Sequence, residues 1–188
     1  MTPPATRSSS AGFRKLGERE IHKGFVISLV EGEFETPDGS RILREVVHHP
    51  GAVAVVPIVG DEVVLVRQYR AALDSDLLEI PAGKRDVEGE EPHVTAIREL
   101  EEEVGFTTDS VLPIARFYNS AGFSDEYSHV FLATDLRPVD IVPHGVEEEW
   151  MTIERVALDD VPGLIAAGEI EDAKTVIGLL AALRHLGR

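Results

Sequence analysis

One stretch, Pro81–Phe106 (PAGKRDVEGEEPHVTAIRELEEEVGF), constrains this chain more than any other. An apolar run, Leu77–Ile80, leads into a glycine turn at Ala82-Gly83. An acidic loop follows, and then a pattern that predicts a helix from Pro92 to a stop at Gly105. Proline suits the first helical position, where its missing N–H has no partner to lose. Glycine suits the position after the last turn. Val94, Ile97, Leu100 and Val104 recur at helical spacing and predict an inward stripe. Glu99, Glu102 and Glu103 stand at i, i+3 and i+4, so their carboxylates share a different face.

Like charges at that spacing repel by roughly 0.2–0.5 kcal/mol per pair on an exposed helix. Arg98 can pair with Glu102 one turn on, but it cannot neutralise all three acids. A hard divalent cation can, and Mg²⁺ favours carboxylate oxygens, water and phosphate. Taken as a bare charge run, a solvated acidic face is the ordinary reading. Two features weigh against it: the acids share a helix with an ordered apolar stripe, and the helix follows a strand and a glycine turn.

The charge balance narrows the partners. A net charge of −16 with no basic stripe argues against nucleic acid. An anionic substrate then needs metal ions to bridge the mismatch. Zero cysteines exclude disulfides, thiolate zinc sites and a cysteine nucleophile, and fit a cytoplasmic protein. No apolar run approaches a membrane span. Residues 1–17 read as a disordered lead-in without a signal-peptide centre, 18–50 as an N-terminal β unit, and 51–188 as the main domain.

Within the β unit, Ile21–Phe34 alternates like a strand, Pro37-Asp38-Gly39 turns, and Ile42–His48 resumes. Gly51–Val59 is a continuous apolar run, which suits a strand covered on both faces. Strands are expected at Glu62–Tyr69, Leu77–Ile80, Leu112–Asn119, Tyr127–Ala133 and Met151–Val156. Helices are expected at Leu158–Ala167 and Ala173–Leu186, the second with Ala173, Val176, Ile177, Leu180 and Leu183 inward. Mixed strands with helices before and after them fit an α/β/α sandwich. The histidines show no zinc-like spacing, and His93 receives no role.

Arg98-Glu99-Leu100-Glu101-Glu102-Glu103-Val104-Gly105-Phe106 resembles the second half of the Nudix box, with Glu90 at the box's upstream glutamate. Gly83 stands one residue farther from Glu90 than the box's glycine, so this loop is longer by one. The wider order of an N-terminal β unit, VRQYR, LLEIPAG and then the box is similar to the ADP-ribose pyrophosphatase branch of that superfamily. The resemblance implies a Nudix-type α/β/α sandwich with mixed sheets, and a homodimer in which the N-terminal β units swap. It implies Mg²⁺-dependent hydrolysis of ADP-ribose to AMP and ribose 5-phosphate, with Mn²⁺ as a substitute.

By the same resemblance, Glu99, Glu103 and the Ala82 carbonyl hold metal, with Glu102 close by as a catalytic acid. Gly83, Glu90, Arg98 and Gly105 serve the motif's structure. Glu147 and then Glu149, in the Gly145–Trp150 loop, are the candidates for general base. Arg70 matches a phosphate-binding arginine, and Glu79 either supports the metal or binds ribose. Phe25 and Arg44 match positions that sandwich adenine, while Ser124 and Glu126 match contacts to the terminal ribose. One departure stands out: Ala121 replaces the proline that marks ADP-ribose preference. Other nucleotide sugars, oxidised nucleotides and a non-catalytic nucleotide-sensing module are the alternatives.

Overall fold

The computed structural model describes residues 11–141 and 150–188. Along the chain run β1 (Arg14–Lys23), β2 (Ser28–Glu35), β3 (Arg41–His48), β4 (Ala52–Val59), β5 (Glu62–Arg70), β6 (Ser75–Glu79) and β7 (Ala82–Lys84). Then come α1 (Pro92–Val104), β8 (Phe106–Thr107), β9 (Leu112–Tyr118), β10 (Tyr127–Ala133), β11 (Arg137–Pro138), β12 (Thr152–Ala157), α2 (Val161–Ala167) and α3 (Ala173–Leu186). The chain forms two units. One takes the residues up to Gly51 with Phe117–Tyr127; the other takes Ala52–Arg116 and Ser128–Arg188.

The larger unit is built on β4, and its sequence explains why. Seven of the eight residues of Ala52–Val59 are buried, so the strand is covered on both faces. Val53 and Val55 pack with Ala96, Leu100 and Val104 of α1 and with Phe131 of β10. The opposite face carries Val56 and Val130, which meet α3 at Gly178. A Cβ added at Gly178 would lie 2.9 Å from Ile80 Cδ1, so glycine there lets the helix approach closely. The sheet runs β12-β5-β4-β10-β9, with β6 on β5 and β7 on β4. Its β10–β4 pair is parallel and its β4–β5 pair antiparallel. This is the mixed-sheet α/β/α sandwich expected.

The smaller unit holds an antiparallel sheet in the order β1-β2-β3. Where a single strand is expected over Ile21–Phe34, the structure has two, divided by a turn closed by the Gly24 N–H on the Ile27 carbonyl at 2.8 Å. The strand pattern misleads because Phe25, Val26 and Ile27 are apolar yet exposed at that turn. β1 itself begins at Arg14, ahead of the boundary expected at 18.

Two helix stripes also differ from expectation. On α1, Val94 is exposed and Ile97 half-buried, while Thr95, Ala96, Glu99, Leu100, Glu103 and Val104 turn inward. On α3, Ile177 and Leu180 are exposed, and Thr175, Gly178, Leu179, Ala182 and Leu183 are buried. In both helices small or polar residues share the inward positions with leucine and, on α1, valine, because close packing leaves little volume there and the polar groups find partners. No helix among the described residues is long and apolar enough to cross a membrane.

Candidate active site

The candidate site lies in the larger unit, where β7 passes under α1. Strand β7 pairs antiparallel with β4, setting Gly83 opposite Val53 and Ala82 opposite Ala54. The Val55 N–H donates to the Pro81 carbonyl at 2.9 Å, which fixes the entry to β7. Helix α1 starts with Pro92 in its first turn and ends on Gly105 at φ 68°, the left-handed stop expected. A side chain at Gly105 would also crowd Ile141 at 2.7 Å.

Two of the helix acids reach the β7 backbone. Glu103 is 4% exposed, and its Oε2 accepts the Ala82 N–H at 2.9 Å. Glu99 is 6% exposed and lies directly over Gly83. A Cβ on residue 83 would sit 2.0 Å from the Glu99 carboxylate carbon, so only glycine admits this approach.

Arg98 holds the remaining acids. Its Nη1 stands 2.9 Å from Glu99 Oε1 and 3.0 Å from Glu102 Oε2, and its Nη2 is 3.5 Å from Glu90 Oε2. Burial works against its charge, but Glu99 and Glu102, followed by Glu90, outweigh that and hold the guanidinium above its ordinary range. Glu90 also accepts the Thr95 hydroxyl at 2.6 Å. That bond, with help from Arg98, keeps its carboxyl below the usual range. Glu101 takes no part in this cluster: it accepts the Thr107 hydroxyl at 2.6 Å.

The acid set suits a hard cation, since every side-chain donor is a carboxylate oxygen. The missing side chain at Gly83 is what lets the Glu99 carboxylate lie against the β7 backbone. Among the described residues no three acidic or histidine side chains are gathered closely enough to hold an ion as they stand. Arg98 links Glu99 to Glu102, while Glu103 is held by the Ala82 N–H.

A second network flanks the first. Glu79, 1% exposed, is gripped by Arg70 through Nε at 2.6 Å and Nη2 at 2.8 Å. That bidentate bond raises the arginine's pKa. Lys174 stands 3.7 Å from Glu79 and 2.6 Å from Asp172. Asp172 caps α3 through the Thr175 N–H at 2.9 Å, and the Thr175 hydroxyl accepts the Ile80 N–H at 3.0 Å. Burial opposes the Asp172 charge, but Lys174 and Thr175 more than offset it and keep its carboxyl below the usual range. Lys174, Asp172 and Thr175 stand outside the residues expected from the sequence. The N-cap signature Asp172-x-x-Thr175 was the available signal. We expect Glu79→Gln to lower stability by about 2 kcal/mol, the scale of a lost hydrogen bond to a charged group. Thermal melts of the two proteins check it.

The smaller unit carries the other expected residues. Phe25 is fully exposed in the β1–β2 turn, and Arg44 is exposed on β3, its Nη1 on the Leu43 carbonyl at 2.7 Å. Ser124 and Glu126 belong to the 120–126 loop, where the Glu126 N–H donates to Ser124 Oγ at 3.2 Å. Ala121 is exposed in the turn of that loop. Glu147 and Glu149 lie outside the described residues.

A mixed α/β/α sandwich with buried acids of one helix set on a glycine strand defines a class of fold and site. The comparisons agree with it. The NUDIX domain model matches residues 48–176. An ADP-ribose pyrophosphatase of Bacillus subtilis (strain 168) is 40% identical over 88% of this chain and 90% of its own length. A methanol dehydrogenase activator of Bacillus methanolicus is 39% identical over 88% and 92%. A crystal structure of an ADP compounds hydrolase superposes with a TM-score of 0.82 at 25% identity, covering 96% of this chain and 99% of its own. The chain belongs to the Nudix family.

Proposed function

We propose that this chain hydrolyses the pyrophosphate bond of a nucleoside diphosphate sugar, with ADP-ribose giving AMP and ribose 5-phosphate. The observation that carries the reading is the convergence of Glu99 and Glu103, both buried, on the backbone at Ala82 and Gly83. Two buried carboxylates on one helix face are costly to keep ionised; Arg98 and the Ala82 N–H offset part of that cost, and a divalent cation would offset more. The relative named ADP-ribose pyrophosphatase supplies the substrate class.

Glu99, Glu103 and the Ala82 carbonyl are the groups that would hold Mg²⁺, with Mn²⁺ as a substitute. When bound, a divalent cation screens phosphate charge and lowers the pKa of the attacking water. Arg98 holds Glu99 and Glu102 in register and limits their mutual repulsion, a positioning role. Glu102 stands beside the cluster as a further acid. Glu147 or Glu149 takes the proton from the water as general base. Arg70 offers a planar fork suited to a phosphate once Glu79 shares it. Phe25 and Arg44 contact the base, and Ser124 and Glu126 the terminal ribose, in a homodimer.

The test is an assay of the purified chain on ADP-ribose with Mg²⁺, with Mn²⁺, and after chelation. AMP and ribose 5-phosphate are expected in equal amounts with metal, falling to background with chelator and returning when metal is restored. Absence of AMP from ADP-ribose, and of any nucleoside monophosphate from a panel of nucleotide sugars, with either metal, overturns the proposal. Light scattering checks the dimer separately, against the chain's 20.5 kDa.

A further inference from the structure

Within the smaller unit, His48 joins three segments far apart in sequence. It is the last residue of β3. Its Nδ1 lies 2.5 Å from Asp125 Oδ2 in the 120–126 loop, and its Nε2 lies 3.1 Å from Glu18 Oε2 on β1. Both partners are carboxylates, which only accept when ionised. A neutral imidazole has a single N–H and can satisfy only one of them. The geometry therefore requires the imidazolium, a cation bridging two anions.

The loop is held at the same place by its backbone. The Val47 N–H donates to the Phe123 carbonyl at 2.8 Å, and the Asp125 N–H donates back to the Val47 carbonyl at 3.1 Å. Asp125 Oδ1 accepts the His49 N–H at 2.9 Å, so one carboxylate binds both the imidazole of His48 and the backbone of the next residue. Ser124 and Glu126 flank Asp125 on either side. The position of Asp125 sets theirs.

We propose that His48 is a positioning residue, clamping the 120–126 loop to β1 and β3 so that Ser124 and Glu126 are set for the sugar end of the substrate. The sugar contact rests on the function proposed above; the clamp itself does not. Other charged groups face His48 as well. Lys15 on β1 pairs with the same Glu18 oxygen at 2.5 Å. Lys23 lines a cavity of about 270 Å³ together with His48 and His49. Glu126 lies 4.0 Å from His49 Nδ1. On β2 the residue opposite His48 is the uncharged Ser28.

The bond to Asp125, followed by that to Glu18, raises the His48 pKa above its ordinary 6.5. A raised value fixes the sign. The clamp is complete below about pH 6.5 and is lost as the pH rises through the elevated pKa.

The experiment measures kcat and KM for ADP-ribose from about pH 6 to about pH 9 in the full chain, in His48→Gln and in Asp125→Asn. Amide exchange across residues 119–127 is followed in the same three proteins. For the native chain we expect KM to rise about tenfold across that range, a change worth about 1.4 kcal/mol. The variants should show the raised KM at every pH and faster loop exchange, with kcat within about twofold. A histidine that only adds stability would lower the melting point and leave the KM profile intact. The proposal is overturned if both variants keep the native KM profile, or if loop exchange is unchanged in both. A native chain that turns over no nucleotide sugar sinks the substrate assignment instead, and loop exchange alone then decides the clamp.

Discussion

Glu103→Gln should cut kcat for ADP-ribose with Mg²⁺ by at least about a hundredfold, while the melting temperature moves by no more than about 4 °C. The two expectations separate because the substitution keeps the shape and removes the charge. Glu103 Oε2 accepts the Ala82 N–H at 2.9 Å, and the carbonyl of glutamine can keep that bond. The fold therefore loses little. On the function proposed, a cation held beside β7 would lose one anionic ligand in a buried site, where solvent screens little and each charge counts for more than at the surface. The apparent affinity for Mg²⁺ should fall together with kcat. Glu101→Gln is the matched control: Glu101 lies on the same helix but accepts the Thr107 hydroxyl instead, and that variant should keep its turnover. Full activity in Glu103→Gln removes Glu103 from any metal-holding role.

The elements of the larger unit were legible because their signals are local and redundant. The buried run of Ala52–Val59 identifies a central strand, and Pro92 with Gly105 brackets α1 within a residue of its bounds. The inward faces were not legible from apolar spacing alone. Val94 looks like core yet is exposed, whereas Glu99 and Glu103 look like surface yet are buried, because their carboxylates find partners in Arg98 and the Ala82 N–H. The α3 stripe shifted for a related reason: glycine at 178 and alanine at 182 allow a close approach that bulkier neighbours would block. Contacts between distant segments left no local trace. Nothing in the spacing of His48 and Asp125 announces their bond, and Arg70 with Glu79 reads as two independent charges until β5 pairs with β6. The pairing of Arg98 with Glu102 was legible from the one-turn spacing, but its simultaneous contact with Glu99 was not.

Gly83→Ala should leave a folded protein with little activity. The added Cβ would stand 2.0 Å from Glu99 Cδ and 2.0 Å from its Oε1, where carbon contacts settle at about 3.5–4.0 Å. Something must move. β7 is held by its pairing with β4, and α1 is held by Ala96 and Leu100 in the core, so neither backbone yields easily. The flexible Glu99 side chain yields instead, its carboxylate swinging away from the strand. The cost in stability is that of modest overpacking, about 1–3 kcal/mol. The cost in turnover is that of removing Glu99 as a ligand, at least about a hundredfold. Gly163→Ala serves as the control, since its added methyl meets nothing within 4 Å and replaces glycine inside α2; it should hold or slightly raise the melting temperature. The mechanism makes a sharper demand on the double variant Gly83→Ala with Glu99→Gln. If the methyl acts by displacing that carboxylate, the losses in kcat cannot add, because the second change removes what the first has already displaced. Losses that multiply would mean residue 83 acts on catalysis by another route. Wild-type turnover in Gly83→Ala alone would mean that the approach of Glu99 to β7 has no part in the chemistry.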